Sequence, residues 1–235
     1  MSFRREVAIY LAVAAVGVLP AFLRPNAMVG DGVDAFGTWW FYGWIAACVA
    51  NGMDPSFTTR FFFPLGKEIF THTGNNFVDA VLGIPFWLAG TRGFAVFVVV
   101  ILVGNALCFR PLAKLVLQDE QRAFAATLLW MVNPYSLFEL TAGRPTQAFL
   151  WFVPAVPYFL LKCARESGWV NAVKLGLSAA LVGWTYWFAC FFELALCLPL
   201  IWSELRRSRE PMIVLQRWTL ALGLAFCLVA PAAIP

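Results

Sequence analysis

The stretch GFAVFVVVILVGNALCF, residues 93–109, decides the fold class of this chain. It is uncharged throughout and approaches the roughly 20 apolar residues that a helix needs to cross a bilayer. The whole chain is 61% hydrophobic and 13% charged, whereas soluble domains are about 45–50% apolar and about 25% charged. A soluble protein with this composition would expose much apolar surface and aggregate. We therefore predict an all-α, multi-spanning transmembrane helix bundle, and exclude a disordered chain, a disulfide scaffold and a nucleic-acid-binding domain.

Other apolar stretches have a similar length, and together with 93–109 they predict about seven spans. They lie at 7–23, 123–141, 146–162, 172–187, 188–203 and 217–235. The run at 172–203 is too long for one helix and short for two, so we divide it near Trp187–Phe188. The first stretch follows Arg4 and Arg5 and lacks a convincing cleavage site, which favours an uncleaved span over a signal peptide.

The distribution of basic residues predicts the orientation of the bundle. Of the 17 Lys and Arg residues, 12 fall on the side of the N-terminus: Arg4, Arg5, Arg110, Lys114, Arg122, Lys162, Arg165, Lys174, Arg206, Arg207, Arg209 and Arg217. The positive-inside rule makes this side cytoplasmic, provided that 76–90 does not cross the membrane. Asp79 and Pro85 within that short stretch favour an interfacial or re-entrant helix.

This topology predicts a single integral membrane domain over 1–235. Residues 24–92 form a long extracytoplasmic loop that carries interfacial helices. Because the chain stops within an apolar run at 230–235, we expect it to be the N-terminal part of a longer protein.

The first polar motif of that loop is Gly30-Asp31-Gly32-Val33-Asp34. Two carboxylates three residues apart at a membrane surface suit a divalent cation, and either one suits a general base. The flanking glycines allow the backbone to approach a ligand closely. The alternative is structural, with Asp34 capping the following helix and Asp31 in solvent.

Three further features of the loop carry polar or aromatic groups. Residues 35–50 hold a crowd of aromatics that includes Trp39 and Trp44, which predicts a helix along the outer interface or, alternatively, a buried helix of the bundle. His72 lies in the small polar run 71–76 and is either a hydrogen-bonding surface residue or a ligand. Asp79 either faces the same pocket or is an exposed acid in the first turn of a helix.

Two charged residues outside the loop are candidates for binding. Arg144, between the third and fourth spans, has the geometry to grip a lipid phosphate, or else it snorkels or pairs with Glu139. Glu193 lies several residues inside the sixth predicted span, where an ionisable group is costly and usually functional. It lines a cavity there, or is an interfacial acid if the span boundary shifts by a turn.

The cysteine and histidine content argues against two kinds of chemistry. The six cysteines mostly lie inside apolar runs without a C-x-x-C spacing, so we interpret them as small core residues. A single histidine excludes a His-cluster metal site and argues against a Ser-His-Asp triad.

The layout resembles the GT-C superfamily of membrane glycosyltransferases, in which an acid lies near the start of a long first outer loop. The matching residues are Asp31 and Asp34. The patterns Asn51-Gly-x-Asp-Pro55, Phe63-Pro-Leu-Gly66 and Thr71-His-Thr73 look like the first loop of bacterial relatives, and Asn133-Pro-Tyr135 looks like the end of their third span. The resemblance covers residues 1 to about 200.

The resemblance implies an enzyme that uses a polyprenyl-phosphate-sugar donor at the outer face of a bacterial inner membrane. Asp31, preferred over Asp34, would be the catalytic base, and Arg144 would neutralise the leaving phosphate. Trp39 and Trp44 would steer the prenyl tail or stack on sugar, with His72 and Glu193 as further substrate-binding candidates. It also admits Mg²⁺ or Mn²⁺ as a cofactor, held by Asp31 and Asp34.

Two hypotheses from other classes compete with a transferase. A transporter or lipid flippase needs polar groups near the midplane and broken helices, for which Glu193, Asn105 and the prolines within the spans are candidates. A non-catalytic scaffold subunit of an envelope complex is the third hypothesis. The polar residues gather on one outer face, which favours surface chemistry and hence the transferase.

Overall fold

The structure is a computed structural model that describes residues 2–24, 28–30, 32, 34–70 and 75–233. The fold is nearly all-α, as predicted. The helices are α1 (Phe3–Leu23), α2 (Asp34–Asn51), α3 (Phe77–Leu88), α4 (Gly90–Leu117), α5 (Glu120–Met131), α6 (Pro134–Thr141), α7 (Pro145–Ala148), α8 (Ala155–Arg165), α9 (Val170–Arg207) and α10 (Pro211–Ala233). Two short strands, β1 (Phe57–Thr58) and β2 (Lys67–Glu68), pair antiparallel with Phe57 opposite Glu68.

Four of the described helices are long and apolar enough to cross a membrane. They are α1, α4, α9 and α10, the last over Pro211–Pro231. Large apolar side chains project outward from them, including Val16, Leu196 and Phe226, of which each is at least 70% exposed. Such surfaces are stable against lipid and aggregate in water. The chain is therefore an integral membrane protein, whereas the count of seven spans stays a prediction.

The predicted span at 123–141 is interrupted in the structure. α5 ends at Met131 and α6 begins at Pro134. Proline has no backbone N–H to continue a helix, and it disfavours helical backbone in the residue before it. Asn133 begins the new helix, because its side-chain oxygen accepts a hydrogen bond from the Ser136 N–H at 2.9 Å.

The predicted span at 146–162 is also interrupted, between α7 and α8. The fully buried side chain of Asn105 on α4 pairs with the backbone that leaves the helix there. It donates to the Ala148 carbonyl at 2.8 Å and accepts from the Leu150 N–H at 2.9 Å. In a lipid environment every backbone polar group needs a partner within the protein, and Asn105 supplies two.

The apolar run 172–203 forms one long helix, α9, with a break at Tyr186. The backbone there is extended, with φ −156° and ψ 97°. Asn75 donates its side-chain amide to the Gly183 carbonyl at 2.5 Å, and the Asn76 N–H donates to the Thr185 carbonyl at 3.0 Å. These bonds satisfy carbonyls that the break frees. The break lies directly before the predicted boundary at Trp187–Phe188.

The helices α2 and α3, between the first two helices that are long enough to cross a membrane, are only partly exposed. α2 buries Phe41, Tyr42 and Ile45 and packs on α3, while Phe36 stays 74% exposed. Its inner face is thus core, and the interfacial placement of its outer face stays a prediction. At 12 residues, α3 rises only about 18 Å, so it is too short to cross a bilayer, as predicted.

Contacts divide the chain into two compact units, and the prediction of a single domain over 1–235 stays a prediction. The first unit comprises Met1–Pro55 and Phe77–Trp151, and the second comprises Ser56–Asn76 and Phe152–Pro235. In the first unit, α4 packs against α1, α3 and α5. In the second unit, α8, α9 and α10 surround an apolar cluster that includes Leu160, Cys163, Leu175, Cys197 and Trp218. All six cysteines are free, and Cys48, Cys163 and Cys197 are buried.

Candidate functional site

Gly30, Gly32 and Thr38 pack against the turn between α6 and α7, within the first unit. A Cβ on Gly30, which has φ +90°, would lie 2.7 Å from the Leu140 carbonyl oxygen. A Cβ on Gly32 would collide with the Ala142 backbone. Because backbone cannot move aside as a side chain can, both positions require glycine. The Thr38 hydroxyl adds a hydrogen bond to the Gly143 carbonyl at 3.1 Å.

This packing brings together two residues that the sequence predicted as functional. The Arg144 Nε lies 3.8 Å from Asp34 Oδ2 and 2.7 Å from Glu139 Oε2. Arg144 also stacks over the Phe138 ring at 5.6 Å. The pairing of Arg144 with Glu139, one of the two sequence interpretations, is therefore present. The arginine side chain keeps 32% of its surface exposed, so a ligand can still reach it.

Asp34 opens α2 and occupies its first turn, where the positive end of the helix dipole favours a carboxylate. Its side chain is 55% exposed and faces the Arg144 guanidinium. Asp31, the other predicted acid, lies outside the described residues, as does His72.

A cavity of about 590 Å³ borders this contact in the first unit. Its wall is built from the C-terminal half of α1, the segment 28–30, α4 and α6: Gly17, Val18, Pro20, Ala21, Arg24, Met28, Val29, Gly30, Val98, Leu102, Leu137, Leu140 and Thr141. Gly30 and Leu140 thus belong both to the cavity wall and to the contact between the loop and the turn. Arg24 supplies the charge of an otherwise mostly apolar lining.

Asp79 is a buried polar centre that contacts Thr146, on the short helix directly after this turn, and the sequence alone did not identify it as one. Its side chain is completely buried, so the interpretation as an exposed first-turn acid was wrong. The hydroxyls of Tyr42 and Thr146 each donate to Asp79 Oδ2 at 2.6 Å. Burial raises the pKa of Asp79 to about 7, against a lowering effect of the bonds from Thr146 and Tyr42. Burial also raises the pKa of Tyr42 well above its usual value, so its phenol remains a donor.

The two predicted tryptophans pack in different ways. Trp39 is half-buried, with its ring 5.7 Å from Trp87 and 5.8 Å from Phe94 between centroids. Trp44 is only 8% exposed and donates its indole N–H to the Pro55 carbonyl at 3.1 Å. Trp39 therefore retains surface for a ligand, whereas most of Trp44 is used in packing.

Glu193 belongs to the second unit and is buried, at 8% exposed. It lines a cavity of about 350 Å³ whose other walls, from α8, α9 and α10, are almost entirely apolar. Cys190 and Cys197, on the same side of α9, line that cavity as well. Of the two sequence interpretations of Glu193, this placement corresponds to the cavity-lining one.

The donor set for a metal ion is poor in the part of the chain that the structure describes. No three His, Cys, Asp or Glu side chains there lie close enough to hold an ion together. Asp34 faces the positive charge of Arg144, which opposes a second cation at the same carboxylate. The described residues thus do not fit the divalent cation that the GT-C resemblance admits.

Asp79 is the residue whose buried role the sequence did not assign, and one signal pointed to it, because it is the one acid of an apolar, non-spanning helix. That signal does not identify the hydroxyls of Tyr42 and Thr146, which are distant in sequence from Asp79. Compared with known proteins, the chain matches no family model and no curated sequence.

Proposed function

We propose that this protein is a membrane glycosyltransferase of the GT-C type. It transfers a sugar from a polyprenyl-phosphate donor to an acceptor at the extracytoplasmic face of a bacterial inner membrane. The observation that supports this most is the contact of Asp34 with Arg144 beside a largely apolar cavity. In such a reaction the carboxylate would act on the acceptor hydroxyl, the guanidinium would bind the donor phosphate, and the apolar cavity would hold the prenyl tail.

The donor binds with part of its prenyl tail in the cavity and the remainder in the bilayer. A volume of about 590 Å³ lies within the usual range of small-molecule sites, about 300–1,000 Å³. The phosphate meets Arg144 and Arg24. The two carboxylates of Asp34 and Glu139 outweigh the single positive charge of Arg144 by one negative charge. The positive charge of Arg24 on the cavity wall is therefore needed to make the site neutral before the anion binds.

The reaction is a displacement at the anomeric carbon. The acceptor oxygen forms a bond to that carbon and loses its proton to the carboxylate of Asp31, or of Asp34 in its place. The bond between the anomeric carbon and the phosphate oxygen breaks, and its electron pair stays on the phosphate. Arg144 stabilises the charge that develops there, and Trp39 stacks on the sugar.

The topology belongs to the same proposal. Seven spans with a cytoplasmic N-terminus put residues 24–92 and the turn at Arg144 on the outer face. There the donor phosphate lies at headgroup level and the polar residues of the site can reach it.

Donor retention tests this proposal. We expect the purified protein to retain a polyprenyl-phosphohexose in native mass spectrometry in preference to added phosphatidylglycerol. Arg144→Ala removes the charge-assisted bonds to the phosphate and lowers retention about 10–100-fold. Asp31→Asn leaves retention unchanged, because the base acts on the acceptor.

Arg209→Ala is the matched control, since Arg209 is an exposed arginine of the second unit. We expect it to retain the donor like the wild type. If the wild type shows no preference for the donor over bulk phospholipid, or if Arg144→Ala and Arg209→Ala behave alike, the donor site does not exist as proposed.

A transporter or lipid flippase is the second candidate, and the second unit provides the observation that favours it. Discontinuous spanning helices and intramembrane carboxylates are typical of transport pathways. α9 breaks at Tyr186, and Glu193 lines a cavity seven residues further on.

Lipid movement in vesicles tests this second candidate. A flippase exposes an inner-leaflet fluorescent lipid to an external quencher, and Glu193→Gln slows that exposure severalfold, whereas Glu210→Gln, an exposed acid of the second unit, does not. A transferase leaves the lipid distribution of the vesicles equal to that of protein-free vesicles.

A further inference from the structure

We propose that Asp79 is a positioning residue whose ionised carboxylate keeps the segments that carry Arg144 and Asp34 in place, so that the two side chains face each other. This inference rests on the proposed function and concerns the same site. Asp79 touches neither of the two residues in the contacts described above. It acts through two hydroxyl groups. Tyr42 lies on the same helix as Asp34, and Thr146 lies two residues after Arg144.

The two hydroxyls link Asp79 to the backbone segments of Asp34 and Arg144. α2 begins at Asp34 and carries Tyr42 about two turns later. α7 follows Arg144 directly and carries Thr146. Since both hydroxyls donate to Asp79 Oδ2 at 2.6 Å, one oxygen atom joins the helix of the acid to the helix that follows the arginine.

The ionised form of Asp79 makes the stronger connection. Hydrogen bonds from hydroxyls to a carboxylate are shorter and about twice as strong as those between neutral groups, and the distances of 2.6 Å are of the charge-assisted kind. Protonation of Asp79 turns them into ordinary bonds. The connection between the two helices therefore weakens as the carboxyl takes up a proton.

The surroundings of Asp79 leave few groups to modify this titration. From α2 it faces the Tyr42 phenol, from α7 the Thr146 hydroxyl, and from its own helix backbone N–H groups. α4 packs against α3 with aromatic rings, including the stack of Phe97 on Phe86. Among these described groups Tyr42 is titratable, and its raised pKa keeps it neutral. Near pH 7 the charge state of Asp79 thus follows the solvent pH.

The stability of the fold has the opposite pH dependence to the strength of this connection. The pKa of Asp79 is raised on folding, so its contribution to stability is fully present below its ordinary pKa and is lost as the pH rises through about 7. At pH 8 the ionised carboxylate therefore lowers the free energy of unfolding relative to the protonated form, although its hydrogen bonds to α2 and α7 are then at their strongest.

Donor binding at two pH values tests the proposal. The probe is a polyprenyl-phosphohexose, a phosphodiester that does not titrate between pH 6 and 8. A group with a pKa of about 7 is about tenfold more ionised at pH 8 than at pH 6, and we expect wild-type affinity to rise by up to that factor. Asp79→Asn binds equally at both pH values, at the weak level, and its melting temperature at pH 8 is not below that of the wild type.

Controls separate positioning from general damage. Glu68→Gln, an exposed acid of the second unit, keeps the pH dependence of the wild type. Thr146→Ser retains the hydroxyl and behaves like the wild type, whereas Thr146→Val behaves like Asp79→Asn. If Asp79→Asn keeps the wild-type pH dependence, or if Thr146→Val and Thr146→Ser bind alike, Asp79 is not a positioning residue.

A measurement without donor distinguishes a failure of this inference from a failure of the proposed function. Hydrogen exchange over residues 143–149, corrected for intrinsic rates, should show higher protection at pH 8 than at pH 6 in the wild type and no difference in Asp79→Asn. If the wild type binds no donor but shows this pattern, the proposed function fails and the positioning stands. Equal protection in the two proteins at both pH values overturns the positioning.

Discussion

Asp31→Asn is expected to lower the rate of sugar transfer by about 10²–10⁴-fold, while donor binding and folding survive. The asparagine amide has nearly the size of the carboxyl group but takes up no proton. The acceptor hydroxyl then attacks the anomeric carbon without a base. Release of polyprenyl phosphate from a labelled polyprenyl-phosphohexose, in membranes that contain the acceptor, measures this rate.

Asp34→Asn is the comparison that assigns the two acids. Asp34 faces Arg144 at 3.8 Å, so its loss changes the charge around the phosphate and is expected to alter donor affinity more than turnover. If Asp34→Asn abolishes turnover and Asp31→Asn does not, Asp34 is the base. If both variants turn over the donor like the wild type, neither acid is the base. If the wild type itself turns over no donor, the protein is no transferase, and a scaffold role explains the result.

Arg110→Ala is expected to destabilise the fold by about 3–5 kcal/mol. Arg110 on α4 donates from Nε to Glu6 Oε2 at 2.5 Å and from Nη2 to Glu6 Oε1 at 3.1 Å. Glu6 on α1 is only 1% exposed. Without the guanidinium, a buried carboxylate is left unpaired between two spanning helices. The free energy of unfolding in mixed micelles measures the loss.

Two comparisons make this prediction specific. Replacement of both partners, Glu6→Leu with Arg110→Leu, should recover most of the stability, because neither charge remains buried. Lys162→Ala breaks an ion pair with Glu166 of similar length, 2.7 Å, but the pair is more exposed and should contribute less than about 1 kcal/mol. Equal losses for Arg110→Ala and Lys162→Ala would contradict the burial of the Glu6 pair.

Hydropathy did not predict the interruptions of two apolar stretches. Residues 123–141 and 146–162 are apolar enough to be predicted as spans, yet both are broken in the structure. The first break was visible in the sequence as Asn133-Pro134, a helix-start signal inside an apolar run. The second depends on Asn105, which lies more than 40 residues away and pairs with the freed backbone. No local pattern contains that partnership.

The candidate site was predicted in its parts and not in its assembly. The motif from Gly30 to Asp34 and the lone arginine at 144 each stood out by residue type. Their contact requires Gly30 and Gly32 to meet the backbone at 140–142, which only the packed chain reveals. Of the two interpretations of Asp79, the exposed acid was wrong for the same reason. Its first-turn position is a local fact, whereas its complete burial depends on α2 and α7 packing around it.

The sequence by itself determined that this is a helical membrane protein, that 76–90 is too short to cross, and that the long apolar run is interrupted near Trp187–Phe188. These follow from hydropathy, length and helix breakers, which act over one or two turns. Tertiary structure alone decided that Arg144 faces Asp34, that Asp79 joins two helices, and that Asn75 satisfies the break in α9. Such pairs join residues tens of positions or more apart, and their energy depends on burial and on hydrogen-bond geometry, which exist only once the helices have packed.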